Sequence, residues 1–177
     1  MQRAVVPVGT QADDTEAINQ YQVAYNLSAD SWCGFFGQNN NWYSGSNNTT
    51  YYLQDAWVAA TYKNSYTELL SSWKEIRQES EKTGSMEVFA LAQILKISAW
   101  HKTLETFGPI PYTHAGEPAL VIPFDSEKDA FNAMFADLTA AIEILTARVE
   151  QGATIVADYD AVYGGDTRKW VKYANSL

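Results

Sequence analysis

Apolar residues recur at helical spacing along most of the chain, and the places where that spacing fails divide it into elements. The first pattern runs from Asp13 to about Tyr25, and the charges of Asp13 and Asp14 suit the positive end of a helix. From Asp55 to about Ser80, Trp57, Leu69, Trp73 and Ile76 predict a long helix. Gly84-Ser85 breaks it, and Ser85 is placed to cap the next one. That helix reaches Thr106 and is apolar on nearly every side, with Val88, Phe89, Leu91, Ile94, Leu95, Ile97 and Trp100. A helix of that kind belongs at the centre of a fold. Gly108 and Pro109 stop it.

The stretch Phe107-Gly108-Pro109-Ile110-Pro111-Tyr112 reads as a stiff extended connection, because each proline pushes its predecessor out of the helical region. Ser126-Glu127-Lys128-Asp129 resembles a capping box with Asp in place of Glu. It opens an amphipathic helix with Phe131, Phe135, Leu138, Ile142 and Leu145 on one stripe, ending near Gln151-Gly152. Asp166 or Thr167 caps a last helix containing Trp170, Val171 and Tyr173. Leu177 falls inside that apolar helix, as expected of a chain cut short. The long helices form antiparallel pairs, so the predicted fold class is all-α, a tetratricopeptide-like solenoid in one domain over residues 1–177.

Residues 31–52 break the helical rhythm. Gly34, Gly37, Gly45 and the run Asn39-Asn40-Asn41 mark a loop, yet Trp32, Phe35, Phe36, Trp42, Tyr43, Tyr51 and Tyr52 make it too aromatic for a plain linker. A loop of this length inside a compact domain is usually functional.

Composition narrows the function classes. Aromatic residues make up 14% of the chain, with 6 Trp, 11 Tyr and 7 Phe, and such rings serve as core or as platforms for sugars. The net charge of −9 with scattered basic residues argues against nucleic acid and against an anionic membrane surface. Cys33 is alone and lacks the small and apolar residues that precede a lipid-anchored cysteine, so a buried, inert thiol is expected. The N-terminus carries no signal-peptide run, and no stretch reads as a membrane span of about 20 apolar residues. Either the protein is cytoplasmic or its leader has been removed. The sequons at Asn26, Asn47 and Asn48 arise easily in an Asn-rich chain and carry no weight here.

Two segments point to a family. Tyr163-Gly164-Gly165-Asp166, followed by Lys169-Trp170 and by Tyr173-Ala174-Asn175-Ser176-Leu177, closely resembles the Tyr-Gly-Gly-Asp…Lys-Trp…Phe-Ala-Asn-Ser-Leu signature of SusD/RagB-like proteins, with Tyr173 where Phe is commoner. Phe107-Gly108-Pro109-Ile110-Pro111-Tyr112 resembles that family's Tyr-Gly-Asp-Ile-Pro-Tyr loop, with Phe107 for Tyr and Pro109 for Asp. Tyr25 to Asp30, followed by Trp32 and Phe35-Phe36, looks like the family's first helix running into its loop. The resemblance implies the N-terminal helical portion of a SusD-like protein, an outer-membrane, cell-surface lipoprotein of Bacteroidetes. It implies an oligosaccharide or peptide ligand, a SusC-like TonB-dependent transporter as partner, and a lipid anchor outside this sequence. No enzymatic activity, cofactor or metal is expected.

Within the loop, Trp42 and Tyr43 are the candidate stacking platforms, and Asn39, Asn40 and Asn41 the candidate hydrogen-bonding groups. The competing reading packs Trp42 and Tyr43 against the solenoid, as is expected of Tyr51 and Tyr52. Asp158, Asp160 and Asp166 share a loop, but Val162 and Tyr163 stand where a calcium loop needs a ligand and a glycine. His101, Glu105 and His114 form no metal pair, and no nucleophile motif is present. The alternatives are a tetratricopeptide-type interaction scaffold and, less favoured, a glycoside hydrolase, for which no carboxylate pair stands out.

Overall fold

The computed structural model describes residues 1–8 and 20–177. It is mostly helical, as the periodicity predicts, and among the described residues the sole β-type pairing is the Ile110–Asp125 bridge. The helices are α1 (Gln2–Val5), α2 (Gln22–Asp30), α3 (Asp55–Lys63), α4 (Leu70–Thr83), α5 (Met86–Phe107), α6 (Glu127–Glu150) and α7 (Thr167–Ala174). The helix expected from Asp13 lies outside the described residues as far as residue 19; beyond them it passes Tyr25 and reaches Asp30.

α5 is the centre. It packs on α4 and on α6, and its residues from Ala90 to Trp100 are buried without interruption. The all-round apolar pattern therefore located the core correctly. Ser85 precedes α5 but makes no side-chain cap, whereas Ser126 and Asp166 each accept a backbone N–H of their own helix, from Asp129 and Lys169. Gly84 ends α4 in the left-handed region, with φ of 75°.

α6 turns a different stripe inward from the one predicted. Ala130, Met134, Leu138, Ala141 and Leu145 are buried, while Phe135 is 60% exposed and Phe131 only partly covered. Alanines let α6 approach α5 closely, and that geometry outweighs the greater hydrophobicity of the neighbouring phenylalanines. By length and composition α6 also qualifies as a membrane span, contrary to expectation. Here it is a packing helix against α5 and α7.

Between α3 and α4 the helix does not break; Asn64–Leu69 is wound as a π-helix, as is α2. One side of the wide turn is buried and engaged: Asn64 donates to the Ala4 carbonyl and the Tyr25 hydroxyl, and the Ser65 carbonyl accepts the Trp100 indole N–H at 3.2 Å. π-segments of this kind frequently mark functional sites.

Lys96, almost fully buried on α5, holds its ammonium over the rings of Trp73 (4.1 Å), Tyr112 (4.2 Å) and Trp100 (4.7 Å). Burial pushes its pKa down to about 8, against the opposing pull of Asp137. A lysine whose folded pKa lies below its unfolded 10.5 destabilises the fold fully below pH 8, and the penalty fades as pH rises through 10.5. Lys96→Met should therefore shift its stability relative to the parent by about 3 kcal/mol, in the parent's favour, between pH 7 and 10.5. Urea unfolding of both proteins at several pH values measures this, and a pH-independent difference refutes it.

Candidate functional site

The aromatic loop is a built structure. It contains the short 3₁₀ turns Trp42–Gly45 and Asn48–Thr50. Asn41, Tyr43 and Ser44 have positive φ (50°, 52° and 53°); Asn41 and the following Gly45 suit that region, whereas Tyr43 and Ser44 are strained in it. Strained backbone of this kind persists where surrounding contacts impose it, and it gathers at ligand clamps.

Asn47 supplies those contacts. Fully buried, it donates to the Trp42 carbonyl at 2.7 Å and to Gln38 Oε1 at 2.9 Å, and its Oδ1 accepts from Thr49 N. Asn48, also buried, donates to the Leu27 carbonyl and so pins the loop to α2. Gln54 closes the far side by donating to the Ser46 carbonyl at 2.6 Å. These side chains set the shape of the loop, and nothing in the sequence pattern marked Asn47 or Asn48 beyond a chance-looking sequon.

Trp42 stacks on Trp57 of α3, with ring centres 4.9 Å apart and planes 14° from parallel. Tyr43 meets both indoles edge-on, at 5.4 Å and 5.3 Å. The two readings of Trp42 thus meet in one residue: one face is packed on the helix, and the same ring lines a cleft of about 380 Å³. Asn39 and Asn40 line that cleft with Gln38, Phe36 and, from α2, Gln22 and Asn26. Among the candidates, Asn41 and Tyr43 stand outside the lining, Tyr43 as an exposed brace of the indole pair.

Several expectations are corrected. The side chains of Tyr51 and Tyr52 do not pack the loop against the helices; they are 69% and 52% exposed, and the Tyr51 ring meets the Trp32 ring at 5.5 Å. Cys33 is exposed, not buried, because the chain turns outward just after α2.

Two other regions compete for attention. A cleft of about 710 Å³ lies between α4, α5 and α6 and is lined by Trp73, Gln93, Lys96, Tyr112 and Asp137. Part of its polar lining is joined in one network: Trp73 donates to Gln93 at 2.7 Å, and Gln93 and Tyr112 both donate to Asp137 at 2.7 Å. Asn39 and Asn40, by contrast, make no hydrogen bond among the described residues, which leaves their amides free for a ligand.

The second is the Asp160 loop. Asp160 Oδ1 accepts from Val162 N, Tyr163 N and Gln2 Nε2, and Oδ2 accepts from Gly165 N and the Trp170 indole. Burial alone would raise its pKa, but hydrogen bonds from Trp170, Gly165, Tyr163 and Val162 outweigh that and hold the carboxyl below its usual range. Its oxygens are filled by N–H donors, the reverse of what a cation requires, and no metal-holding cluster occurs among the described residues. Asp160 is the anchor of the Tyr-Gly-Gly turn, where Gly165 (φ 83°) leaves no room for a Cβ, 2.7 Å from Ala157.

The whole chain matches one protein family, described as Susd and RagB outer membrane lipoprotein, over residues 1–177. Solved structures agree. A chitin-binding SusD homologue from Flavobacterium johnsoniae is 30% identical with a TM-score of 0.79, over 99% of this chain and 35% of that one. A SusD homologue from Bacteroides uniformis is 30% identical with a TM-score of 0.72, over 89% and 32%. A SusD-like protein from Bacteroides thetaiotaomicron is 25% identical with a TM-score of 0.68, over 90% and 36%. No curated protein matches the chain. The chain spans about a third of the length of the solved proteins it resembles. The helical order, the motif around Trp170 and the match over the full sequence lead to one conclusion: the chain belongs to the SusD-like family of outer-membrane lipoproteins.

Proposed function

We propose that the chain, over residues 1–177, forms the helical portion of a cell-surface nutrient-binding lipoprotein, and that the loop at 31–52 captures an oligosaccharide there. The captured glycan is passed, uncleaved, to a SusC-like TonB-dependent transporter, with the protein held at the membrane by a lipid anchor. The observation that carries this reading is the cleft in which the Trp42 ring lies beside the free amides of Asn39 and Asn40. A ring face takes the apolar face of a sugar, and primary amides both donate to and accept from its hydroxyls. The likeness to a chitin-binding homologue supports a glycan over a peptide as the ligand.

Trp42→Ala should raise the dissociation constant for a chito-oligosaccharide about tenfold, since stacking is worth on the order of 1 kcal/mol or more. Trp42 also packs on Trp57, so a companion variant is needed. Asn40→Ala removes an exposed side chain with no partner among the described residues and should weaken binding several-fold at an unchanged melting temperature. Calorimetric titration beside thermal melts reads both. Unchanged affinity in both variants, with lower stability for Trp42→Ala alone, would make the loop a structural element. Product formation from the oligosaccharide would restore the hydrolase alternative.

A further inference from the structure

The side chains that line the loop cleft share one property: among the described residues none is ionisable. Hydrogen-bonding capacity comes from Gln22, Asn26, Gln38, Asn39 and Asn40, beside the Trp42 ring. Each primary amide offers two N–H donors and a carbonyl acceptor without carrying charge. Two of them are partly engaged in ways that leave matched groups open. Gln38 accepts from Asn47, so its NH₂ remains free. Asn26 donates its side-chain NH₂ to Asp30 at 2.9 Å, so its side-chain Oδ1 remains open.

We infer that this cleft selects neutral glycans and discriminates against oligosaccharides of either charge; the inference rests on the glycan reading of the site. An anionic sugar leaves water on entering and finds no cation among the described lining residues to replace it, so its desolvation goes uncompensated. The chain's net charge of −9 adds a repulsion that salt screens. A cationic sugar is drawn toward the chain by the same charge, but among the described residues it too finds no carboxylate in the lining; the nearby Asp30 accepts from Asn26, and its charge acts on the Lys102 ammonium. Selectivity by absence of charge differs from recognition by a salt bridge in a measurable way. Binding of the preferred ligand should be nearly independent of ionic strength.

The test is calorimetric titration of the protein with neutral oligomers of N-acetylglucosamine, glucose and xylose, with a deacetylated glucosamine oligomer, and with an oligogalacturonate of matched length. At least one neutral oligomer should bind tenfold or more tightly than either charged oligomer. Its dissociation constant should move less than twofold between 20 and 300 mM salt, where the ~20 Å and ~6 Å screening lengths differ widely. Asn40→Asp, which places a charge in the lining, should weaken the neutral ligand and strengthen the glucosamine oligomer, each several-fold. A charged oligomer that binds as tightly as the best neutral one overturns the selectivity while leaving glycan capture in place. Absence of binding by every oligomer overturns glycan capture, and the selectivity with it.

Discussion

Replacing Asp160 by alanine should lower the unfolding free energy by about 4 kcal/mol, the largest loss expected from a single polar side chain in this protein. The reason is the number and placement of the donors it leaves behind. The Gly165 N–H (2.8 Å) and the Trp170 indole N–H (2.7 Å) are both buried, and both now point at the same carboxylate oxygen. Hydrogen bonds to a charged group contribute about 1.5–3 kcal/mol each, and a buried donor without a partner carries its full desolvation penalty. The Val162 and Tyr163 N–H groups and Gln2 lose a partner as well, though closer to water. Asp160→Asn should do little better, because its amide would set N–H groups against N–H donors. The pH dependence has a definite sign. The folded carboxyl titrates below its ordinary 3.8, so the stability it contributes is present above that value and is lost as pH falls through the folded pKa. Thermal melts of the parent and Asp160→Ala should therefore differ by roughly 10 °C at neutral pH and converge in acid. A difference under about 1 kcal/mol at neutral pH would mean that the turn is held by something other than this carboxylate.

Trp100→Ala should cost about 4 kcal/mol for a different reason, a cavity at the centre of the fold. The side chain has no exposure, packs against Tyr66 (4.4 Å between ring centres) and Tyr112 (5.6 Å), and donates its indole N–H to the Ser65 carbonyl. Its removal also strips one of the ring faces from the Lys96 ammonium. Phe135→Ala is the comparison: an equally apolar ring on α6, mostly exposed, whose loss should stay within about 1 kcal/mol. Denaturant midpoints of the two variants should be well separated. Similar midpoints would show that the centre of α5 can collapse around the missing ring.

The sequence made some of this readable and hid the rest for physical reasons. The helix α5 was legible because a run of apolar residues on every side has only one place to go. The end of α5 at Gly108 was legible for the same kind of local reason, and so was the Asp166 cap. The inward face of α6 was misjudged because hydrophobicity ranks Phe131 and Phe135 above the alanines, while close helix contact ranks them below. The loop announced its aromatics but not its organisers. Asn48 acts on a carbonyl of Leu27 and Asn47 on that of Trp42, and such pairings across a gap carry no periodic trace. The cleft's α2 side, Gln22 and Asn26, was invisible for the same reason. Asp160 was noticed only as a failed calcium ligand, because its donors are backbone N–H groups, which every residue possesses.

The π-wound stretch from Asn64 to Leu69 makes chain length itself a specification. A π-turn holds one more residue than an α-turn for nearly the same rotation, so deleting one residue here would let α3 run into α4 as plain α-helix with little change in how the two face. Local hydrogen bonding would improve. Trp57 would keep its place beneath the Trp42 ring and Trp73 its place against Gln93, while the contacts of Asn64 with Ala4 and Tyr25 and of Ser65 with Trp100 would be lost. A single-residue gap at this point in an alignment of relatives therefore leaves the indole prop beneath the loop in register; it records the gain or loss of the wide turn and its buried polar contacts.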